Sequence, residues 1–338
     1  MRLSETPVKK SENLHLMRFI ASVMVIFGHS YALSGCELKS DFVDRHTNGI
    51  ISIGGICVTL FFLCSGYLIS KSVMRTDKFL SYIKARIIRL LPPLAFVVFA
   101  AIIVGAVITR LSPLEYFTSL KTYKYLLNAV MIPVHELPGV FENNAYDATV
   151  NGALWTLPVE FACYIACYIF YKSNLLDKKR FWYTAPFVLA AVVFEKYVPG
   201  ILGDMVRPCV FFYIGMFYYV YREHIVLNIK LLPLAAVLLT VGFIWPEFVK
   251  PAMIIFWPYV LFTIWFALPQ CPKFLGNMGN ISYGVYLWGF FVQQLLVFMW
   301  GGSMPRLLNF VLGTAISIYM GTLTFYITEK PFSKKRVK

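Results

Sequence analysis

Leu14-His15-Leu16-Met17-Arg18-Phe19 opens an apolar run that reaches Gly28-His29-Ser30, so one hydrophobic segment carries an arginine and a histidine eleven residues apart. A helix turns about 100° per residue, and eleven steps bring the two side chains to within about 20° of one face. They are separated by about 16 Å of axis at about 1.5 Å per residue, which is about half a bilayer core. Ionisable groups inside a span are costly and mark functional sites. The pair therefore reads as a path into a membrane, with Arg18 and His29 as its two stations.

The rest of the chain agrees with a membrane setting. Of 338 residues, 59% are apolar, 17% aromatic and only 14% charged, against about 25% charged in soluble domains. No linker or repeat interrupts the pattern, so residues 1–338 read as one all-α domain, a polytopic membrane helix bundle. Hydrophobic runs predict about ten transmembrane helices, near 14–34, 50–70, 90–109, 153–171, 181–195, 206–221, 231–246, 252–268, 279–299 and 307–327. The net charge of +14 invites a nucleic-acid partner, but lysine and arginine also hold the cytoplasmic loops of membrane proteins. With the N-terminus inside, 21 of the 31 basic residues fall on the inner side and 9 outside, with Arg18 in a span. Both termini are expected in the cytoplasm, and no nucleic-acid partner is expected.

Two other readings attach to these segments. The apolar run 19–27 followed by Ala32-Leu33-Ser34 resembles a cleaved signal peptide, although an arginine and a histidine interrupt its hydrophobic stretch. The seven cysteines, Cys36, Cys57, Cys64, Cys163, Cys167, Cys209 and Cys271, form no CxxC or Cys/His spacing. Cys163 and Cys167 share a helix face, but buried cysteines commonly behave as small hydrophobes, and no metal site is expected.

Four further stretches carry candidate chemistry. Phe61-Phe62-Leu63-Cys64-Ser65-Gly66-Tyr67 lies in the inner half of the second span. Its Ser65-Gly66 pair serves either helix packing, the common use of small residues in lipid, or ligand binding. Lys78, Lys84, Arg86 and Arg89 precede Leu90-Leu91-Pro92-Pro93. They form either an interfacial anchor or a phosphate site, for which the planar arginine fork is suited. Asn151-Gly152-Ala153-Leu154-Trp155-Thr156-Leu157-Pro158-Val159-Glu160 opens the fourth span from outside. Glu160 is expected about two turns deep, level with His29, where the two could act as an acid/base pair. The alternative is a structural Glu–His or Glu–Tyr contact. Gln293-Gln294 in the ninth span are expected to join helices by hydrogen bonds. The basic tail after Glu329-Lys330-Pro331-Phe332 is expected to anchor the chain.

Taken together, these motifs resemble the membrane acyltransferase-3 family. Arg18 and His29 match its Arg-x10-His signature, Phe61 to Ile69 its second-span motif, and Asn151 to Glu160 its Trp…Glu motif. Ser282-Tyr283-Gly284-Val285-Tyr286-Leu287 and Glu329-Lys330-Pro331-Phe332 match its C-terminal landmarks. The resemblance spans essentially the whole chain in the right order. Arg86 and Arg89 match part of an Arg-Arg-x-x-Arg motif, with Ala85 at its first arginine and Lys84 as the substitute. Gly289-Phe290-Phe291 stands where many members have His or Pro.

The resemblance implies a multi-pass O-acyltransferase of the bacterial inner membrane, in its stand-alone form without an appended hydrolase domain. Such enzymes move acetyl from cytoplasmic acetyl-CoA to O-antigen, exopolysaccharide, peptidoglycan or lipid-linked glycans, and some modify small molecules such as macrolides. Acetyl-CoA is a substrate, and no permanently bound cofactor is implied. His29, Arg18 and Glu160 carry over as catalytic residues. Arg18, Ser65, Lys84, Arg86 and Arg89 carry over as contacts to the acyl donor, and Trp155 and Asn151 as contacts to the acceptor. His29 acts either as general base or as the acyl carrier. The alternatives are a multi-span transporter or flippase, and an acyltransferase for a small molecule. Membrane lipids are the remaining expected partner.

Overall fold

The computed structural model describes residues 1–5, 12–76, 78–198 and 200–333. Every regular element among them is helical, and the β contacts are two isolated bridges, Arg2 with Val226 and Glu136 with Thr149. Each of the ten hydrophobic runs contains a helix: α1 (Glu12–Leu33), α2 (Ile53–Val73), α3 (Phe79–Ile108), α4 (Thr156–Lys172), α5 (Ala185–Phe194), α6 (Ile201–Val220), α7 (Leu232–Gly242), α8 (Pro246–Phe262), α9 (Ser282–Met299) and α10 (Arg306–Thr324). Among the described residues, seven helical stretches are long and apolar enough to cross a membrane, those containing α1, α2, α3, α4, α8, α9 and α10. At 10 and 11 residues, α5 and α7 rise only about 15 Å each, half a bilayer core. α6 is long enough but carries Asp204 and Arg207 in its first two turns. The basic tail 334–338 and Lys9-Lys10 lie outside the described residues.

Contacts between helices set their directions. We call the end of the bundle that holds Glu12 the near end and the other the far end. α1 runs from near to far. α2 returns, because Gly28 meets Gly54 while Arg18 sits over Phe61. α9 runs with α1, placing Gly279 against His15 and Gly289 against Ile26, and α10 runs back, with Gly313 at Gln293 and Gly321 at Gly284. α6 runs alongside α2, and the two touch backbone to backbone. A Cβ on Gly66 would lie 2.0 Å from the carbonyl oxygen of Phe212, and one on Gly215 would lie 2.1 Å from that of Leu63. Only glycine allows so close an approach. Gly66 is thus a packing residue, as small residues usually are in lipid.

α3 begins at Phe79, eleven residues before the expected start, and passes through Pro92 and Pro93. The basic stretch is helical because its apolar face is buried: Tyr82 is 1% exposed and donates to the carbonyl of Tyr164 (2.9 Å). The prolines are tolerated because neighbouring helices and local adjustment satisfy the freed backbone groups in such bundles.

Buried amides tie the far half together. Gln293 donates to the carbonyl of Ile26 (2.9 Å) and to Asn309 Oδ1 (2.7 Å), joining α9 to α1 and α10. Gln294 receives the Asn144 amide (2.9 Å) and donates to the carbonyls of Asp147 and Thr149. The pair joins helices as expected, and Gln294 also pins the segment before α4 onto the bundle. Phe141, Val150 and Asn151 are consequently buried, so the chain is already inside the bundle before α4 starts.

Candidate active site

Arg18 and His29 both project into the interior, but into different cavities. Three cavities follow one another along α1. The near one is lined by His15, Arg18, Arg89, Asn280, Ser282, Tyr283 and Glu329. The middle one shares Arg18, Ser282 and Tyr283 with it and adds Phe61, Ser65, Glu160 and Tyr286. The far one, of about 340 Å³, shares Val58, Thr156 and Tyr286 with the middle one. It contains His29, Trp155, Lys39, Asp44, Asp204 and Arg207. Arg18 thus bridges near and middle, and a wall of Val58, Thr156 and Tyr286 stands between middle and far.

The near cavity is rich in cationic groups, with one carboxylate, Glu329, beside them. Among the described residues, neither Arg18 nor Arg89 makes a hydrogen bond or ion pair, and Arg18 only lies over the Phe61 ring at 5.9 Å. Two guanidinium groups, each with five fixed donors, face one opening. The helix after α10 takes a π turn over Phe325–Glu329, which delivers Glu329 to the same cavity; such turns recur at functional sites. His15 precedes Arg18 by three residues and shares its face.

Glu160 belongs to the middle cavity. Its Oε1 accepts from Ser65 Oγ (3.0 Å) and from the Tyr164 hydroxyl. The expected partnership of Glu160 with His29 is therefore not formed, and the carboxylate sits with Arg18 instead. The reason is the early burial of residues 141–151. Counting depth from Asn151 as though it lay at the membrane surface sets Glu160 too near the far end. Ser65, one residue from the packing Gly66, has the polar role.

His29 sits edge-on to Phe290, with ring centroids 5.2 Å apart. Its Nδ1 is buried and has no hydrogen-bond partner among the described residues. The ring is thus held by packing and keeps a free nitrogen, as a proton acceptor requires. Trp155 joins it in the far cavity on a 3-10 turn, Gly152–Trp155. Tyr146 of the covering segment packs edge-on to the other side of Phe290 (5.9 Å). Burial and the neighbouring Asp147 push its phenol up.

Other expected residues stand elsewhere. Asn151 is 2% exposed, donates to the carbonyl of Leu287 (2.9 Å) and caps the Gly152–Trp155 turn through Oδ1. Its amide holds the backbone rather than facing the cavity. Arg86 donates to Ser72 Oγ and lies over the Tyr82 ring at 5.1 Å, and Lys84 is exposed. Neither lines the near cavity, so Arg89 alone of that cluster reaches it. Helix geometry explains this: Lys84 lies five steps before Arg89 and so points about 140° away from it, while Arg86, three steps before, lies about 60° aside and is held by Ser72 and Tyr82. Among the described residues no His, Cys, Asp and Glu cluster could hold a metal ion.

The far cavity's charged groups escaped sequence reading because two segments far apart in the chain supply them, 39–44 and 204–207. Asp41 among them accepts from the backbone N–H groups of Val43, Asp44 and Ile53 and so shapes the wall. No periodicity links such residues. His15 and Glu329 could have been found, the first by its three-residue spacing from Arg18 and the second by its place in the last motif.

A half-buried histidine with a buried, unpartnered Nδ1 and two arginines without an ion pair among the described residues, on one line of cavities, suit transfer of a group from an anionic donor. A family model described as an acyltransferase domain matches residues 11–326. The chain belongs to this acyltransferase-3 family. An O-acetyl transferase of Shigella phage Sf6 is 27% identical to this acyltransferase over 340 residues, covering 96% of each chain. No solved structure matches it. The acyltransferase is therefore an enzyme that moves acyl groups other than aminoacyl groups, rather than a transporter or flippase.

Proposed function

We propose that this acyltransferase takes acetyl from cytoplasmic acetyl-CoA and transfers it to a hydroxyl of an extracytoplasmic or lipid-linked glycan. One observation carries the reading: Arg18 and Arg89 face the near cavity with no side-chain hydrogen bond or ion pair among the described residues, and the near, middle and far cavities follow one another from there to His29. The donor phosphates rest on Arg89, Arg18 and His15. The pantetheine arm lies in the middle cavity beside Ser65 and Glu160, and the thioester reaches His29. His29 takes the proton of the acceptor hydroxyl, whose oxygen bonds to the acyl carbon. The C–S bond breaks, and the proton passes to the departing CoA thiolate.

The acceptor side is the far cavity. Its 340 Å³ accommodates a sugar ring, and it mixes carboxylates, cations and hydroxyls around Trp155, a lining suited to hydroxyl-rich ligands. The proposal includes ten spans with cytoplasmic termini in a bacterial inner membrane. The antiparallel pairs α1–α2 and α9–α10 and the excess of basic residues in the segments expected on the inner side support it. Mass spectrometry of surface glycans from cells with and without the protein tests the acceptor class. An unchanged glycan profile with an active, CoA-binding enzyme turns the reading toward a small-molecule acceptor.

A further inference from the structure

From the wall between the middle and far cavities we infer that Tyr286 is a positioning residue that keeps the acyl donor from water until an acceptor is bound, so that the enzyme transfers rather than hydrolyses. This rests on the proposed acetyl-CoA reaction.

Tyr286 lines both cavities and is 8% exposed. Phe61 packs edge-on to its ring, with centroids 5.8 Å apart. Its hydroxyl has two partners: it donates to the carbonyl of Ala153 (2.9 Å) and lies 2.7 Å from Thr156 Oγ1. Thr156 opens α4, and Ala153 lies in the 3-10 turn just before it that carries Trp155 into the far cavity. The ring that closes the donor side is thus tied to the turn that an acceptor would touch. A sugar seated against Trp155 presses on this turn, loosens the two hydrogen bonds and lets the ring swing aside. The thioester then meets a hydroxyl that has already displaced the water beside His29.

Without the tie, water reaches the thioester. Its oxygen bonds to the acyl carbon, the C–S bond breaks, and one water proton passes through His29 to the CoA thiolate. The products are acetic acid and CoA. The wall therefore sets the ratio of hydrolysis to transfer, a quantity that overall stability does not determine.

The experiment measures CoA release from acetyl-CoA by the purified full-length protein in detergent, with acceptor absent, alongside CoA affinity. Tyr286→Phe keeps the ring and removes the tie, and Thr156→Val removes one of its partners. Each variant is expected to bind CoA like wild type and to release CoA about tenfold faster without acceptor, as loss of one or two hydrogen bonds implies. Tyr286→Ala, which also removes the ring, is expected to release it faster still. If Tyr286→Phe and Thr156→Val bind CoA like wild type and hydrolyse it no faster, the inference is overturned. If wild type transfers acetyl but the variants' ratio is unchanged, only the role of Tyr286 falls. If wild type neither binds CoA nor cleaves acetyl-CoA, the donor reading falls and takes this role with it.

Discussion

His29 has a buried Nδ1 with no partner among the described residues and a ring packed edge-on to Phe290, which suits the proton transfer proposed for it. Its replacement by alanine is expected to lower acetyl transfer by about 10²–10⁴-fold or more while leaving CoA affinity near wild type. Parallel turnover and binding measurements on the purified variant check this, and normal turnover removes His29 from the mechanism. The arginines divide differently from their sequence cluster. Arg89→Ala removes the charge-assisted contacts proposed for the donor phosphates and is expected to weaken CoA binding by about 10–100-fold. Arg86→Ala, whose side chain is held by Ser72 and Tyr82, is expected to leave CoA affinity within about threefold of wild type and to lower stability instead. Isothermal titration with CoA separates the two, and equal losses of affinity for both variants would restore a continuous phosphate patch.

At the scale of elements, the α2–α6 crossing positions the middle cavity. Gly66 and Gly215 bring the backbones together, and Ser65, next in the chain, is thereby aimed at Glu160. Gly66→Ile forces the helices apart and is expected to cost about 3 kcal/mol or more, at the upper end of overpacking effects. Gly54→Ala is its control, since a Cβ there has room, with Ser52 Oγ nearest at 3.8 Å. Thermal unfolding in detergent is expected to show a large drop in Tm for Gly66→Ile and little change for Gly54→Ala. Equal melting temperatures would mean that the crossing does not hold the bundle together.

For the whole molecule, the near cavity and the His29 cavity lie toward opposite ends of α1, so in the proposed reaction donor and acceptor arrive from opposite faces. Reporter fusions after Lys338 and within 120–150 are expected to report opposite sides of the membrane. Same-side signals would break the proposed topology, and with it the two-sided reaction.

The sequence by itself determined the class of molecule and the cast of its chemistry. Low charge and long apolar runs dictate helices in lipid because a bilayer leaves backbone groups no other partners, and the eleven-residue interval puts Arg18 and His29 on one face of α1 because helical geometry is local. Only the tertiary structure decided which residues meet. The depth of Glu160 depends on how residues 141–151 bury before α4 begins. The choice of Arg89 over Arg86 and Lys84 depends on which face of α3 turns toward α1 and α10. The far cavity gathers Lys39, Asp44, Asp204 and Arg207 from segments far apart in the chain. Periodicity reports the face of one helix, whereas a site between helices depends on their mutual rotation and crossing, which packing contacts such as Gly66 with Gly215 set.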